Sequence, residues 1–452
     1  MFKQQSDFSK GSIASNIMNL ALPLTLAQLM SLLYNIVDRI FIGRIGEQSS
    51  LALGGVGITF PIITIIIAFA NLFGMGSAPL FSIARGQDDS KKAQDIMGNC
   101  FSLLIIFGLI LTLVCLTFKK PLLFMFGASE ETFKYANKYI TIYSLGTIFV
   151  MLSLGMNGFI NAQGFGKIGM LSVVIGAITN IVLDPIFMFA FSLGVQGAAI
   201  ATVLSQAISS LWIIAFLKKN SIIKLHHSSI KLQKNIVIEI ISLGMSGFIM
   251  ATTNSLVSIV INSSLQSFGG DLYVASMTII NSIREIVTMP ISGITSAAQP
   301  VMGYNYGAKL NKRVLSAIKF STIICVIYTT ILWLLIALVP NFFIHIFNND
   351  PQLVEITQSA LKLYFMGFFM QSFQLVGQSV AVALGKSKQA IFFSLFRKVI
   401  IVVPLTLILP HLFNLGIDGI FIAEPISNFI GGGACYITMW LTIGKNLKKK
   451  SI

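Results

Sequence analysis

Apolar residues run through this chain in long blocks separated by short polar stretches. Twelve blocks stand out, at residues 13–42, 51–80, 94–118, 138–162, 168–192, 196–217, 236–264, 271–302, 314–340, 355–384, 389–413 and 417–442. A helix needs about 20 apolar residues to cross a bilayer core of roughly 30 Å, and the blocks are of that order. They predict an all-α membrane protein of twelve transmembrane helices, here segments 1–12. Composition agrees, because a chain of 452 residues, 55% hydrophobic and 10% charged, with mean hydropathy +0.84, has too little polar surface to cover a soluble globule. Residues Met1–Lys10 carry only Lys3 and Lys10, and no small-residue cleavage site follows segment 1. That segment therefore reads as a retained helix and not as a signal peptide.

A net charge of +15 invites a nucleic-acid partner, but the distribution argues otherwise. With the amino terminus placed in the cytoplasm, twenty of the 31 Lys and Arg residues fall on cytoplasmic loops and tails, among them Lys91, Lys92, Lys218, Lys219, Lys312, Arg313 and Lys448–Lys450. The outer loops keep mainly Arg44, Lys119, Lys120, Lys134 and Lys138. This is the positive-inside pattern, and it predicts a multi-pass protein of the plasma membrane with both termini cytoplasmic. The basic surplus then serves topology and contact with anionic lipid, not nucleic acid. The four cysteines lie in apolar segments without metal-ligand spacing and read as packing residues.

The chain also repeats itself. Phe126-Gly127-Ala128-Ser129-Glu130 with Tyr143 and Gly146 corresponds to Phe347-Asn348-Asn349-Asp350-Pro351 with Tyr364 and Gly367, at an offset of 221. The same offset relates Gly86-…-Ser90-Lys91-Lys92 to Gly307-…-Asn311-Lys312-Arg313, and Gly164 with Lys167 to Gly385 with Lys388. Leu193-Gly194-Val195-Gln196-Gly197 answers to Leu415-Gly416-Ile417-Asp418-Gly419 at 222. Two six-helix lobes are expected, 1–217 and 236–452, joined by a cytoplasmic linker 218–235. Six is even, so the repeats run parallel, about an axis along the membrane normal. Transporters built from such repeats expose a site alternately to each side. The linker pair His226–His227 lacks a third ligand and reads as part of a solvated loop.

Against this background the intramembrane acids stand out. Asp184 lies in segment 5, within Asn180-Ile181-Val182-Leu183-Asp184-Pro185. A carboxylate there costs roughly 2.5 kcal/mol or more and requires a partner, a proton or a cation. Asn180 is one helical turn away on the same face, and Pro185 disturbs the backbone beside the acid. Asp38, late in segment 1, has Tyr34 one turn before it, and Pro23 predicts a bend in the same helix. Arg39 projects about 100° away from Asp38. Segment 4 offers Tyr143, Asn157 and Asn161 as cavity candidates, and segment 6 offers Thr202. Small residues Gly74, Gly76, Ser77 and Ala78 suit helix packing. Two carboxylates surrounded by amide, hydroxyl and phenol oxygens suit either a proton carrier or a site for a hard monovalent cation such as sodium, and the residues do not choose.

The Asn180–Pro185 motif, Asp38 four residues after Tyr34 in a proline-bearing first helix, the Gly194-x-x-Gly197 opening of segment 6, and Ala298-Gln-Pro-Val-Met-Gly-Tyr-Asn-Tyr-Gly307-Ala308 after segment 8 resemble the multidrug and toxic compound extrusion (MATE) transporters over roughly residues 10–445. The resemblance implies a V-shaped pair of bundles that exports amphipathic, often cationic drugs in exchange for H+ or Na+, with no cofactor and as a monomer. It implies a coupling site at Asp38 and Asp184, with Tyr34, Asn180 and Thr202 as its hydrogen-bonding shell and Pro23 as the bend. Some sodium-coupled relatives carry acids in segments 7 and 10. Here Asn254 stands in segment 7, and segment 10 holds Gln371, Gln374 and Gln378, so the coupling site is placed in the first lobe.

In the second lobe Arg284 and Glu285 form the one evident charge couple. As neighbours in a helix they face different ways, and they read as structural or gating charges, with substrate contact as the sharper alternative. Arg397 reads as a snorkelling interface residue, and Glu424 as the solvated end of segment 12 or the rim of a cation entrance. Gly385-Lys386-Ser387 resembles the end of a phosphate loop, but Val380 replaces its first glycine. No hydrolase or metalloprotease motif occurs, so an enzyme is not expected. The rival function is a flippase for a lipid-linked precursor. It calls for several cations at depth, of which the sequence offers Arg284.

Overall fold

The computed structural model describes residues 6–45, 49–412 and 415–449; Lys3, Gly46 and Lys450 lie outside them. No strand occurs among the described residues. Among the described residues nine helices are long and apolar enough to cross a membrane. In the first half these include α1 (Ile13–Ile42), α2 (Ser49–Gly86), α3 (Ser90–Met125), α6 (Gly166–Pro185) and α7 (Val195–Lys219). In the second they include α8 (Lys234–Gly269) and α10 (Asn311–Leu338). Segment 4 is a broken span, α4 (Glu130–Leu145) and α5 (Thr147–Ala162), bent by 56° at Gly146. Segment 8 is α9 (Asp271–Gly307). Segment 10 is again broken, into α12 (Pro351–Tyr364) and α13 (Phe369–Ala383), after the short α11 (Pro340–His345). Segment 11 comprises α14 (Ser387–Leu395), a π-helical stretch Phe396–Val402 and α15 (Val403–Ile408). Segment 12 runs through α16 (Ile417–Ser427), a π turn, α17 (Gly433–Met439), a second π turn and α18 (Lys445–Lys449). Each predicted block is thus a helix or an interrupted run of helices.

The duplication is written into the backbone. Ser129 caps α4 by accepting from the Thr132 amide, and Asp350, 221 residues on, caps α12 through the Leu353 amide. Asp88 and Lys309, both followed by helix starts, share φ near +60°. Gly194 and Gly416 adopt φ 52° with ψ −127° and −130°, a region closed to residues with a Cβ. Just beyond them, Gly197 and Gly419 pass so close to the chain at Phe187 and at Leu409 that a Cβ would stand 2.6 and 2.8 Å from a carbonyl carbon. Gly416→Ala meets no neighbouring atom, so its cost is backbone strain alone, about 1–3 kcal/mol. Thermal unfolding of the purified protein is expected to show that loss, and a larger one for Gly419→Ala.

Two compact units are evident. One holds Leu22–Gly244 with the described residues before Phe8; the other holds Phe8–Ala21 with Met245–Ile452. The division falls inside α1, between Ala21 and Leu22 and next to Pro23, through which the helix continues unbroken to Ile42.

In the first unit, Gly74 of α2 faces Gly155 of α5, where a Cβ would meet the Gly155 Cα at 2.8 Å. Gly76 lies against the Ile240 carbonyl at the start of α8. The stretch 218–235 belongs to this unit and is clamped rather than freely solvated. Asn99 of α3 donates to the Lys231 carbonyl (3.2 Å) and accepts from the Gln233 amide (2.7 Å), while Ser102 donates to the Ile230 carbonyl (2.6 Å). His226 and His227 are nonetheless exposed, and no group of three His, Cys, Asp or Glu gathers among the described residues. In the second unit, Asn305 of the Ala298–Ala308 motif and Arg313 both donate to the Phe8 carbonyl, at 3.0 and 2.8 Å, fastening the segment before α1. The four cysteines are buried and free.

Candidate functional site

In the first unit, α6 delivers Asp184 and Asn180 to the interior, 0% and 1% exposed. Asn180 Nδ2 donates to Asp184 Oδ1 (3.2 Å) and reaches Thr202 Oγ1 on α7 (3.5 Å). Pro185 has no amide hydrogen, so the Ile181 carbonyl one turn back loses its helical donor. The helix leaves α geometry immediately afterwards, in the π stretch Ile186–Ala190. Asp184 therefore sits where the helical register changes, a feature that recurs at functional positions in helices.

From α1, Asp38 and Tyr34 occupy the same neighbourhood. Both are half-buried, and Asp184 lies within the field of Asp38. Arg39 places its guanidinium over the Phe60 ring on α2, 4.8 Å from the centroid, and acts on Asp38 only through its field. Tyr143 is buried on α4, close enough to Tyr34 for their hydroxyls to interact electrostatically. Tyr139, one turn earlier, stacks on Tyr143 at 6.0 Å, reaches the Thr202 side chain and lies near both carboxylates. Sequence reasoning passed over Tyr139. Its i, i+4 relation to Tyr143 was the available signal.

The electrostatic character is one of excess acceptors. Asp38 Oδ1, Asp184 Oδ2 and Asn180 Oδ1 are buried without a hydrogen-bond partner among the described residues. Three such oxygens, two of them from carboxylates, suit a proton or a small hard cation and nothing that brings negative charge.

Asn157 and Asn161 hydrogen-bond across the contact between α5 and α6. Asn157 Nδ2 donates to the Gly169 carbonyl (3.0 Å) and Ser172 Oγ (2.9 Å), and Asn161 donates to Asn157 Oδ1 (3.1 Å). They brace α5 against α6, where Gly169 lets the amides approach: a Cβ there would lie 2.4 Å from Asn161 Oδ1.

The second unit holds a cavity of about 570 Å³. Asn254 of α8, Arg284 and Glu285 of α9, and Gln371, Gln374 and Gln378 of α13 line it, together with Arg397 and Lys398 from the π stretch of segment 11. Two readings from sequence are corrected here. Arg397 is 2% exposed and does not snorkel; it forms a salt bridge with Glu424, which is 3% exposed and so is neither a solvated helix end nor a rim. Lys398 Nζ joins the same carboxylate at 3.5 Å, and Arg397 Nε donates to Ser427 Oγ at 3.2 Å. Arg284 and Glu285 are therefore not the only charges at depth in this half. Arg284 reaches the Tyr364 hydroxyl. Arg284 takes part in neither of the two salt bridges to Glu424. The missed signal was the run Gly431-Gly432-Gly433: the Arg397 stem lies where a Gly431 Cβ would be, 2.8 Å from Cγ.

Comparison with known proteins shows the same organisation. The MatE family model matches residues 23–186 and 247–408, one stretch in each half. The multidrug export protein MepA of Staphylococcus haemolyticus is 27% identical over 426 residues, covering 94% of this chain and 93% of that one. MepA of Staphylococcus aureus strain MSSA476 is 27% identical over 430 residues, covering 93% and 92%. Among solved structures, a MATE in complex with MaL6 is 25% identical with TM-score 0.89, and a MATE in the straight conformation is 25% identical with TM-score 0.90; each comparison covers 98% of both chains. A MATE in the bent conformation, 24% identical with TM-score 0.91, shares the fold. Two matched halves, twelve helical segments and this extent of similarity make the chain a member of the MATE family of membrane transporters.

Proposed function

We propose that this transporter exports amphipathic, often cationic drugs in exchange for H+ or Na+, with Asp38 and Asp184 as the coupling site. The observation that carries the reading is the set of three buried, unpartnered oxygens on Asp38, Asp184 and Asn180. The relatives named multidrug export proteins support the cargo. Binding of a cation or proton removes the cost of holding two carboxylates away from water. The gain appears only in the state where both acids converge, so the ion shifts the population of states by its differential affinity. Pro23 and the π turn after Asp184 are the two places where α1 and α6 can change course at small cost, since neither has a full set of helical hydrogen bonds there. Drug release follows when α1 and α6 change course around the coupling site. The Lys and Arg distribution supports cytoplasmic termini and a plasma-membrane location.

The test uses everted vesicles with pH and sodium gradients imposed separately. Asp38→Asn is expected to abolish drug uptake driven by whichever gradient powers the wild-type protein, and to leave passive dye equilibration unchanged. Undiminished exchange in this variant rejects the coupling site.

A second reading draws on Arg397 and Lys398, which join Arg284 around the second-half cavity. Those cations favour an anionic, lipid-linked cargo for a flippase. Flipping of a pyrophosphate-linked lipid in proteoliposomes, without drug–cation exchange, would select it.

A further inference from the structure

We propose that the second-half cavity is a binding site for an organic anion, held through its carboxylate, sulfonate or phosphate group. The proposal rests on residues of the second unit alone and does not depend on the drug-export reading.

Three cations line the cavity: Arg284, Arg397 and Lys398. Glu424 is shared by Arg397 and Lys398, so one positive charge of that triad is left over. Glu285 lines the cavity too; it is exposed and next to Arg284 in the helix, so it offsets that charge from a distance without pairing with it. Arg284 reaches the Tyr364 hydroxyl and lies in the field of Glu424 and Glu285, but the Glu424 carboxylate is in salt-bridge contact with Arg397 and Lys398 and not with Arg284. A guanidinium in a membrane-embedded interior without its own carboxylate is costly, and a bound anion relieves that cost.

The geometry agrees. Gln371, Gln374 and Gln378 fall on one stripe of α13, at spacings of three and four residues, and line the same cavity with carboxamides, of which Gln378 Nε2 donates to the Ala390 carbonyl (3.5 Å). The π stretch Phe396–Val402 widens the helix so that consecutive residues, Arg397 and Lys398, both line the cavity. Guanidinium groups bind planar oxyanions through two parallel hydrogen bonds, which makes Arg284 the anchoring group and Lys398 a point charge beside it. The volume of about 570 Å³ accommodates a drug-sized body. The first-half site, with its excess of acceptors, has the opposite preference.

The test is equilibrium binding of 6-carboxyfluorescein to the full-length protein in phosphatidylcholine nanodiscs. Saturable one-to-one binding is expected. Arg284→Gln is expected to weaken it about tenfold, the effect of one charge-assisted contact. Glu285→Gln is expected to tighten it, a direction that a merely misfolded protein does not produce. Nanodiscs of phosphatidylglycerol separate the two sources of such a group. Binding retained there identifies a soluble anion as occupant, and binding lost there assigns the same site to a lipid headgroup. The proposal is overturned if the dye does not bind in phosphatidylcholine, or if neither substitution changes its affinity. It is also overturned if the cation rhodamine 6G loses as much affinity as the dye in Arg284→Gln.

Discussion

Everted vesicles carrying Asp184→Asn are expected to lose cation-driven drug uptake by more than tenfold while keeping normal protein levels. Asp184 is 0% exposed, and its Oδ2 has no partner among the described residues. The amide that replaces it is nearly isosteric, keeps an oxygen for Asn180 Nδ2 and removes only the charge. Folding should improve slightly, because a lone intramembrane carboxylate costs roughly 2.5 kcal/mol or more. Exchange fails for the same reason, since the site no longer gains anything from a proton or cation. Asn180→Ala and Tyr139→Phe serve as graded controls. Each removes one hydrogen-bonding group near the carboxylates and should reduce uptake a few-fold, in line with about 1 kcal/mol per bond. Uptake by Asp184→Asn at the wild-type rate, under both pH and sodium gradients, would show that the charge is not used.

Glu424→Gln is expected to be the most damaging single substitution for stability in the second half. Glu424 is 3% exposed and is the carboxylate that Arg397 and Lys398 share. Removing it strands two buried cations, and breaking a buried pair of this kind costs about 3–5 kcal/mol. Thermal unfolding in detergent should therefore shift sharply downward. Lys398→Met should be milder, since Arg397 and Glu424 still pair. A variant that replaces the whole cluster, Arg397→Met with Lys398→Met and Glu424→Leu, should recover much of the loss. Unchanged unfolding of Glu424→Gln would show that water, not protein, solvates the cluster.

The two clusters differ in how they could be found. Asp184 announces itself: an acid in an apolar block beside a proline has few reasons to be there. Arg397, Lys398 and Glu424 are just as buried, yet each stands near a segment end where a solvated interface is the ordinary explanation. Tyr139 is one aromatic among 46 Phe and Tyr residues, 36 and 10 respectively, and only its neighbours distinguish it. Asn157 and Asn161 are cavity candidates by position, and their bonds to Gly169, Ser172 and each other become visible only in the folded contact between α5 and α6.

What the amino-acid order determined alone was the membrane class, the twelve helical segments, the repeat near 221 residues and the presence of Asp38 and Asp184 in oil. Those features are local or periodic: apolar length, helix caps, glycines with positive φ, and charges that hydrocarbon cannot solvate. Tertiary structure decided which polar groups meet. It set Asn180 between Asp184 and Thr202, seated Arg397 against Gly431 and Glu424, and gathered three cations around one cavity. Pairing across helices depends on rotation and register, which π turns and broken spans alter by fractions of a turn. A side chain's spacing in the sequence records its own helix face and not the face it meets.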